Sequence, residues 1–250
     1  MDVVTIYNKV ESVLTEKGYI LSKIIKTNAD ELLTQESVVL YTFIFGEIYK
    51  NLTKRQTENA IKYIKKFNTG LSDIIFDPQE IKDLDVWDKA KSLDFLINHF
   101  VYTYFPLEDE NIMLIKKAIQ TLTNNKKILS EASKQLIHAD LGPDNFIFKN
   151  DEVYSVIDFT PEYENELYSL CQFCYWNYYW VSTEDKEDER LMDDLLKTYY
   201  DRKALDTEKE FFKILMIKAS LFRIAGPLMN GNINLEKRFD ILKRVIKTCM

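Results

Sequence analysis

Proline and glycine are scarce, 5 and 6 among 250 residues, and no Pro/Gly/Ser linker, internal repeat or low-complexity tract divides the chain. So few breakers leave long stretches free to form helix, and helix is expected to dominate. Only 3 cysteines occur, an odd number that supplies no disulfide framework, and a reducing, cytoplasmic setting is expected. No apolar run is long enough to cross a bilayer. Met1-Asp2-Val3-Val4 lacks the basic segment and apolar core of a secretory signal. Basic residues are outnumbered, 33 against 40, so the formal charge of -7 disfavours nucleic acid and anionic membranes as partners and mildly favours cationic ones.

What is present is 46% hydrophobic residues, enough to bury a substantial core. Val4, Tyr7, Val10, Val13 and Leu14 recur at helical spacing up to Lys17-Gly18, where a C′ glycine would end a helix. Tyr19 to Lys26 and Ser37 to Phe45 are β-rich runs around the turn-prone Asn28-Ala29-Asp30, which suggests an antiparallel pair. Gly46-Glu47 breaks the second run. Thr53 and Gln56 form a capping-box signature, followed by Ala60, Ile61, Ile64 and Phe67 on one face until Gly70. Further helices are expected at about 84 to 104, 109 to 122 and 127 to 135, and again from about 163 onward. Between them Leu136 to His138, Phe146 to Phe148 and Val153 to Ile157 read as strands, the last two joined by the polar turn Lys149-Asn150-Asp151-Glu152.

The chemistry sits on those strands. Leu136-Ile137-His138-Ala139-Asp140-Leu141-Gly142-Pro143-Asp144-Asn145 fits the H-x-D-L-x-x-x-N pattern of a phosphoryl-transfer catalytic loop, with alanine where arginine is common. Eighteen residues past Asp140, Ile157-Asp158-Phe159 ends a strand with a carboxylate at its tip. Phosphoryl transfer spreads negative charge over oxygens that Mg2+ neutralises, and that hard cation takes a carboxylate and an amide carbonyl, the groups of Asp158 and Asn145. A second carboxylate, Asp140, would orient the acceptor hydroxyl and take its proton. His138 would brace the loop rather than act as the base.

These residues resemble the aminoglycoside phosphotransferase and choline-kinase-like family of small-molecule kinases, whose loop commonly reads H-G-D-x-x-x-x-N and whose metal aspartate lies in I-D-F. The resemblance implies an α+β, protein-kinase-like fold with a mostly helical C-terminal lobe and a short catalytic hairpin. It implies transfer of the γ-phosphoryl group of ATP or GTP to a hydroxyl of a small, aminoglycoside-, choline- or sugar-like molecule, which can be cationic. Asp140 and His138 would be catalytic, and Asn145 and Asp158 would bind Mg2+. Tyr41 to Gly46 looks like the hinge strand, so the backbone at Phe43, Ile44 and Phe45 would meet the nucleotide base. The expected division is a nucleotide-binding remnant over 1–46, with the hinge near 43–47, and a helical lobe over 47–250.

Three positions depart from the family pattern: Ala139 stands for glycine, Thr160 follows Asp158-Phe159, and Tyr168-Ser169-Leu170-Cys171 replaces a Y-D-L-A-like run. More consequentially, no G-x-G-x-x-G and no V-A-I-K-like strand precedes Gly46, so a truncated N-terminal β lobe is expected. Glu11 is the natural candidate for the helix glutamate that would hold the strand lysine, while Lys23 and Lys26 read as surface charges. Each preorganised donor lost would cost roughly 10²- to 10³-fold in rate, which keeps a catalytically weak or inactive binding or regulatory module as the alternative.

Other features have plainer readings. Cys171 and Cys174 form a CxxC without a second pair or a nearby histidine in sequence, which favours buried packing. The aromatics between Tyr163 and Trp180 read as a core helix, with stacking on a sugar or cation as the alternative. Acidic residues from Glu184 to Glu189, then Asp193-Asp194, read as a helix N-terminus, with a polyamine or aminoglycoside as alternative partner. His99 reads as structural. Asp144 and Glu162 lie beside the loop, where acceptor contact, a second metal or loop capping are all open.

Overall fold

A computed structural model describes residues 3–75, 108–182, 188–229 and 235–249. The helix expected over 84 to 104, with His99, lies outside them. Helix α1 (Val3–Glu16) buries Ile6, Tyr7, Val10 and Leu14. It ends as its sequence suggests: Gly18 takes φ +82°, and the Tyr19 and Gly18 amides close back on Leu14 and Thr15 at 3.0 and 2.9 Å. The two β-rich runs that follow are much less regular than their composition suggests. They pair only as β1 (Ile24–Ile25) and β2 (Leu40–Tyr41), antiparallel, with Ile24 opposite Tyr41. β-propensity measures fit to a half-buried pleated surface, and here Ile25 and Leu40 stay exposed while Tyr41, also exposed, rests edge to face on Tyr7 at 5.4 Å.

Helix α2 (Lys54–Ser72) starts at the full Thr53/Gln56 capping box. It runs through Gly70 instead of ending there, because Gly70 serves close approach. A Cβ at that position would stand 2.8 Å from Leu14 Cδ2 and 2.9 Å from Tyr19 Oη. Helices α3 (Asp109–Asn124) and α4 (Lys126–Glu131) follow; α4 stops short of the expected 135 where Ala132 turns extended and leads into β3 (Gln135–His138). A 3-10 turn (Pro143–Asn145) then opens the hairpin of β4 (Phe146–Lys149) and β5 (Glu152–Val156). Its turn residues Asn150 and Asp151 both take positive φ, which short polar side chains tolerate best. Gln56 and Asn59 at the start of α2 donate to the side chain and backbone of Asp151 at 2.8 and 3.1 Å, seating this turn on the body.

The strand β6 (Pro161–Glu164), which the sequence pattern does not reveal, pairs antiparallel with β3, His138 opposite Pro161. Beyond it the chain is helical: α5 (Leu167–Cys174), a π-helical turn (Tyr175–Tyr179), α6 (Asp188–Tyr200), α7 (Asp206–Met229) and α8 (Glu236–Cys249). Every residue of α5 is buried, as expected of a core helix, and α7 packs on α8, α5 and α3. Cys171 and Cys174 are free thiols in that core, and burial pushes both well up from the ordinary thiol range. The result is the expected α+β class: a large helical body with three short two-stranded ladders among the described residues. No helix among the described residues is long and apolar enough to cross a membrane.

Candidate phosphoryl-transfer site

The loop between β3 and β4 is closed by its own side chains. Asn145 donates its amide to the Asp140 carbonyl oxygen, folding the 3-10 turn back over the loop. With the nitrogen committed, the oxygen of that amide is the group left for a cation. The Asn145 carbonyl accepts from the Ile157 amide at 3.0 Å, so Asn145 is tied to the residue before Asp158.

His138 joins the same two segments. Its Nδ1 lies 3.3 Å from the Asp140 amide and 3.4 Å from the Thr160 amide, and its Nε2 lies 3.2 Å from the Ile157 carbonyl. Two amide donors on Nδ1 require the proton on Nε2, giving a neutral ring that donates to Ile157. Burial pushes the imidazole down to about 4. The Ile157 carbonyl and Asp140 pull the other way, and Arg223 adds to the lowering. A ring so placed braces the loop and is a poor proton acceptor near neutral pH.

Asp158 has φ +55° and an exposed side chain at the end of this bracing. A non-glycine residue held in the left-handed region is uncommon and often marks a site where position matters more than local comfort. Phe159 behind it is buried, 5.3 Å from the His138 ring and 6.2 Å from Phe67, which anchors the segment in the core. Tyr41 lies near enough to Asp158 for that charge, after burial, to raise its phenol. Among the described residues no group of three or more His, Cys, Asp or Glu side chains could hold a metal. A carboxylate such as that of Asp158 and an amide oxygen such as that of Asn145 are the donor types Mg2+ takes, a cation that keeps waters and draws its other ligands from phosphates.

Asp140 is half-buried, and its Oδ1 receives the Arg223 guanidinium at 2.7 Å and the Trp176 indole N–H at 3.2 Å. A cavity of about 190 Å³ opens beside it, lined by Asp140, Thr160, Glu162, Gln172 and Arg223 among others. Arg223 carries no signal in the sequence, since one arginine in a helix looks like any other. Trp176 is legible only as one aromatic among many.

The hinge-like segment lies on the other side of Gly46. Phe43 and Phe45 are 78% and 75% exposed, with their rings edge to face at 4.9 Å. Glu47 makes a two-way backbone bridge with Phe148 at 2.9 and 2.8 Å, joining this segment to β4. Gly46 permits that approach: a Cβ there would stand 2.3 Å from Ile147 Cγ2 and 2.8 Å from the Phe148 carbonyl oxygen. Glu11 accepts from Thr15 on its own helix at 2.9 Å, and Lys26 pairs with Asp30 at 2.9 Å. Of the acidic stretch, Asp188 is buried against Arg244 at 2.9 Å and Asp193 pairs with Lys209 at 2.6 Å. Residues 183 to 187 lie outside the described residues.

No protein-family model matches the chain, and no curated protein matches its sequence. Solved structures do match in shape. Amicoumacin kinase hAmiN, in complex with AMP-PNP, Ca2+ and Ami, is 15% identical with a TM-score of 0.66, covering 99% of this chain and 78% of its own. A microcompartment-associated aminopropanol kinase is 13% identical with a TM-score of 0.65, covering 100% and 80%. The gentamicin complex of APH(2")-IIa is 18% identical with a TM-score of 0.61, covering 99% and 83%. With its catalytic-type loop braced between two ladders and its helical body, the chain has the protein-kinase-like fold of aminoglycoside phosphotransferases and related small-molecule kinases.

Proposed function

We propose that the chain transfers the γ-phosphoryl group of ATP or GTP to a hydroxyl of a small molecule, aminoglycoside-, choline- or sugar-like. The observation that carries this reading is the mutual bracing of His138, Asp140, Asn145 and the residues on either side of Asp158 by hydrogen bonds. Isolated H-x-D pairs in surface turns have no need of such ties. The nucleotide analogue AMP-PNP in structural neighbours adds support for a triphosphate donor.

Asn145 and Asp158 would hold Mg2+, which supplies charge neutralisation on the phosphate oxygens. The chain's own residues do the rest. The acceptor oxygen bonds to the γ-phosphorus while the bond from that phosphorus to the bridging oxygen breaks. The electron pair leaves with the nucleoside diphosphate, and the hydroxyl proton goes to the Asp140 carboxylate. His138 stays neutral and keeps the loop in register. The exposed Phe43 and Phe45, with Ile44 between them, border the nucleotide base in this reading.

A second reading, a binding or regulatory module of low activity, is favoured by one observation. Among the described residues, Glu11 is hydrogen-bonded to Thr15 on its own helix, and Lys26 pairs with Asp30 instead of with it. Thermal unfolding with magnesium and ATP or GTP, combined with phosphate-release measurements, separates the readings. An enzyme shows a magnesium-dependent nucleotide shift that disappears in Asp158→Ala, together with measurable release. A nucleotide shift without turnover favours the module, and no shift with either nucleotide refutes the phosphotransferase.

A further inference from the structure

We propose that Arg223 and Trp176 are positioning residues for Asp140, holding its Oδ1 and leaving Oδ2 as the atom that takes the acceptor's proton. This rests on the phosphotransferase reading of the site. A carboxylate oxygen offers two lone-pair directions. At Oδ1 of Asp140 two donors occupy them, the Arg223 Nη2 at 2.7 Å and the Trp176 Nε1 at 3.2 Å. The rest of the residue is held too, its amide by His138 and its carbonyl by Asn145. Only Oδ2 remains to meet a hydroxyl.

Both donors reach Asp140 through departures from regular helix. Trp176 lies in the π-helical turn, where the Trp180 amide bonds the Tyr175 carbonyl at 2.9 Å, five residues back. Single π turns appear often at functional sites because they re-aim side chains. A Cβ on Gly142 would lie 3.8 Å from Trp176 Cδ1, so the indole rests on the catalytic loop itself. Arg223 lies four residues before Pro227, which has no N–H to donate to the Arg223 carbonyl. Arg238 of α8 fills that role at 2.6 Å, fixing the backbone under the guanidinium.

Arg223 is further locked by Gln172, whose Oε1 accepts from Nε and Nη2 at 2.8 and 2.6 Å, and by the Ala139 carbonyl at 3.2 Å. Its guanidinium lies 4.9 Å over the Trp176 ring, so the two donors support each other as well as the base. An arginine serving only as a surface ion pair would not be pinned at its carbonyl, its Nε and its Nη2 together. Sub-ångström aim at a reacting atom does require it.

The test uses phosphate release from magnesium ATP, with water as acceptor, alongside two-dimensional NMR of the Trp176 indole N–H, assigned by its loss in Trp176→Phe. Arg223→Met is expected to lower turnover about tenfold to a hundredfold with KM for ATP unchanged. Arg223→Lys, which keeps one donor, recovers part of the loss. The Trp176 indole resonance moves in Arg223→Met and again in Asp140→Asn. A folded Arg223→Met variant, checked by circular dichroism, that keeps or raises turnover overturns the proposal. If the wild-type chain releases no phosphate, the phosphotransferase reading fails by itself. The clamp is then judged by the indole signal alone: a shift in both variants upholds it and an unmoved signal overturns it.

Discussion

The β1–β2 ladder is two residues long on each side and leaves Leu40 and Tyr41 in solvent, whereas β4 buries Phe146, Ile147 and Phe148 against β5 and the helical body. Beside the second ladder, His138 of β3, Trp176 of the π turn and Arg223 of α7 meet on the loop that leads into it. Around the first, the contacts include the Tyr7 phenol on the Ser22 carbonyl at 2.6 Å, the Tyr7 ring edge to face with Tyr41, and the Lys23 amide and carbonyl on the Thr42 hydroxyl and amide. Asp140 and Asn145 are thus each fixed by several partners, while Phe43 and Phe45 stay exposed. Substitutions should therefore strike chemistry and stability on one side of Gly46 and ligand binding alone on the other.

The sharpest division is expected from Asp140→Asn, which keeps the shape of the loop. Transfer rate should fall on the order of 10²- to 10⁴-fold, with the magnesium-nucleotide thermal shift retained. Loss of the shift along with the rate would mean that Asp140 serves binding rather than proton transfer.

Stability separates the regions next. The Lys218–Glu164 pair, 1% exposed on each side, links α7 to β6. Removing one partner in Lys218→Met leaves a buried charge, and urea unfolding should show a loss of about 3–5 kcal/mol. Lys26→Ala breaks the exposed pair with Asp30 in the first region. It should leave the urea midpoint within error.

Acid titration probes the brace. Because burial holds the folded His138 near 4 against an ordinary 6.5, the unfolded chain binds a proton there that the native chain does not. Stability from this residue is intact above about 6.5 and is lost as the pH falls toward 4, on the order of 3 kcal/mol in all. In His138→Gln the fall across that window should be shallower, even though the variant starts lower at neutral pH. Equal slopes in the two proteins would place the imidazole in contact with water.

Smaller effects lie at the junction and beyond it. Gly46→Ala drives a methyl into Ile147 and the Phe148 carbonyl. A loss of about 1–3 kcal/mol is expected, read from the same urea curves. Phe43→Ala and Phe45→Ala, both at exposed rings, should leave unfolding unchanged while weakening the nucleotide-induced shift. A drop in stability from either would show that these rings pack against the body.

Much of this was readable one segment at a time. The capping box at Thr53 and Gln56, the C′ glycine at Gly18 and the Asn150-Asp151 turn are local agreements between side chain and backbone, and each forms where the sequence places it. The spacing of His138, Asp140 and Asn145 is local as well, since a single turn folds Asn145 back to the Asp140 carbonyl. By contrast, Tyr19 to Lys26 and Ser37 to Phe45 carry strand composition but form only one two-residue ladder with each other, because the burial that makes such residues favour strands is a tertiary property.

The sequence by itself determined that an H-x-D-L-x-x-x-N loop stands between short strands in a helical chain, because those features depend on neighbours within a few residues. The tertiary structure decided how that loop is held. Arg223 lies 83 residues from Asp140 and Trp176 lies 36 away. Their convergence required a π turn, a proline that frees a carbonyl and an arginine from another helix to cap it. Short-range pattern can gather candidate groups on one loop, but the aim of a carboxylate is set by whichever distant donors the packing brings to it.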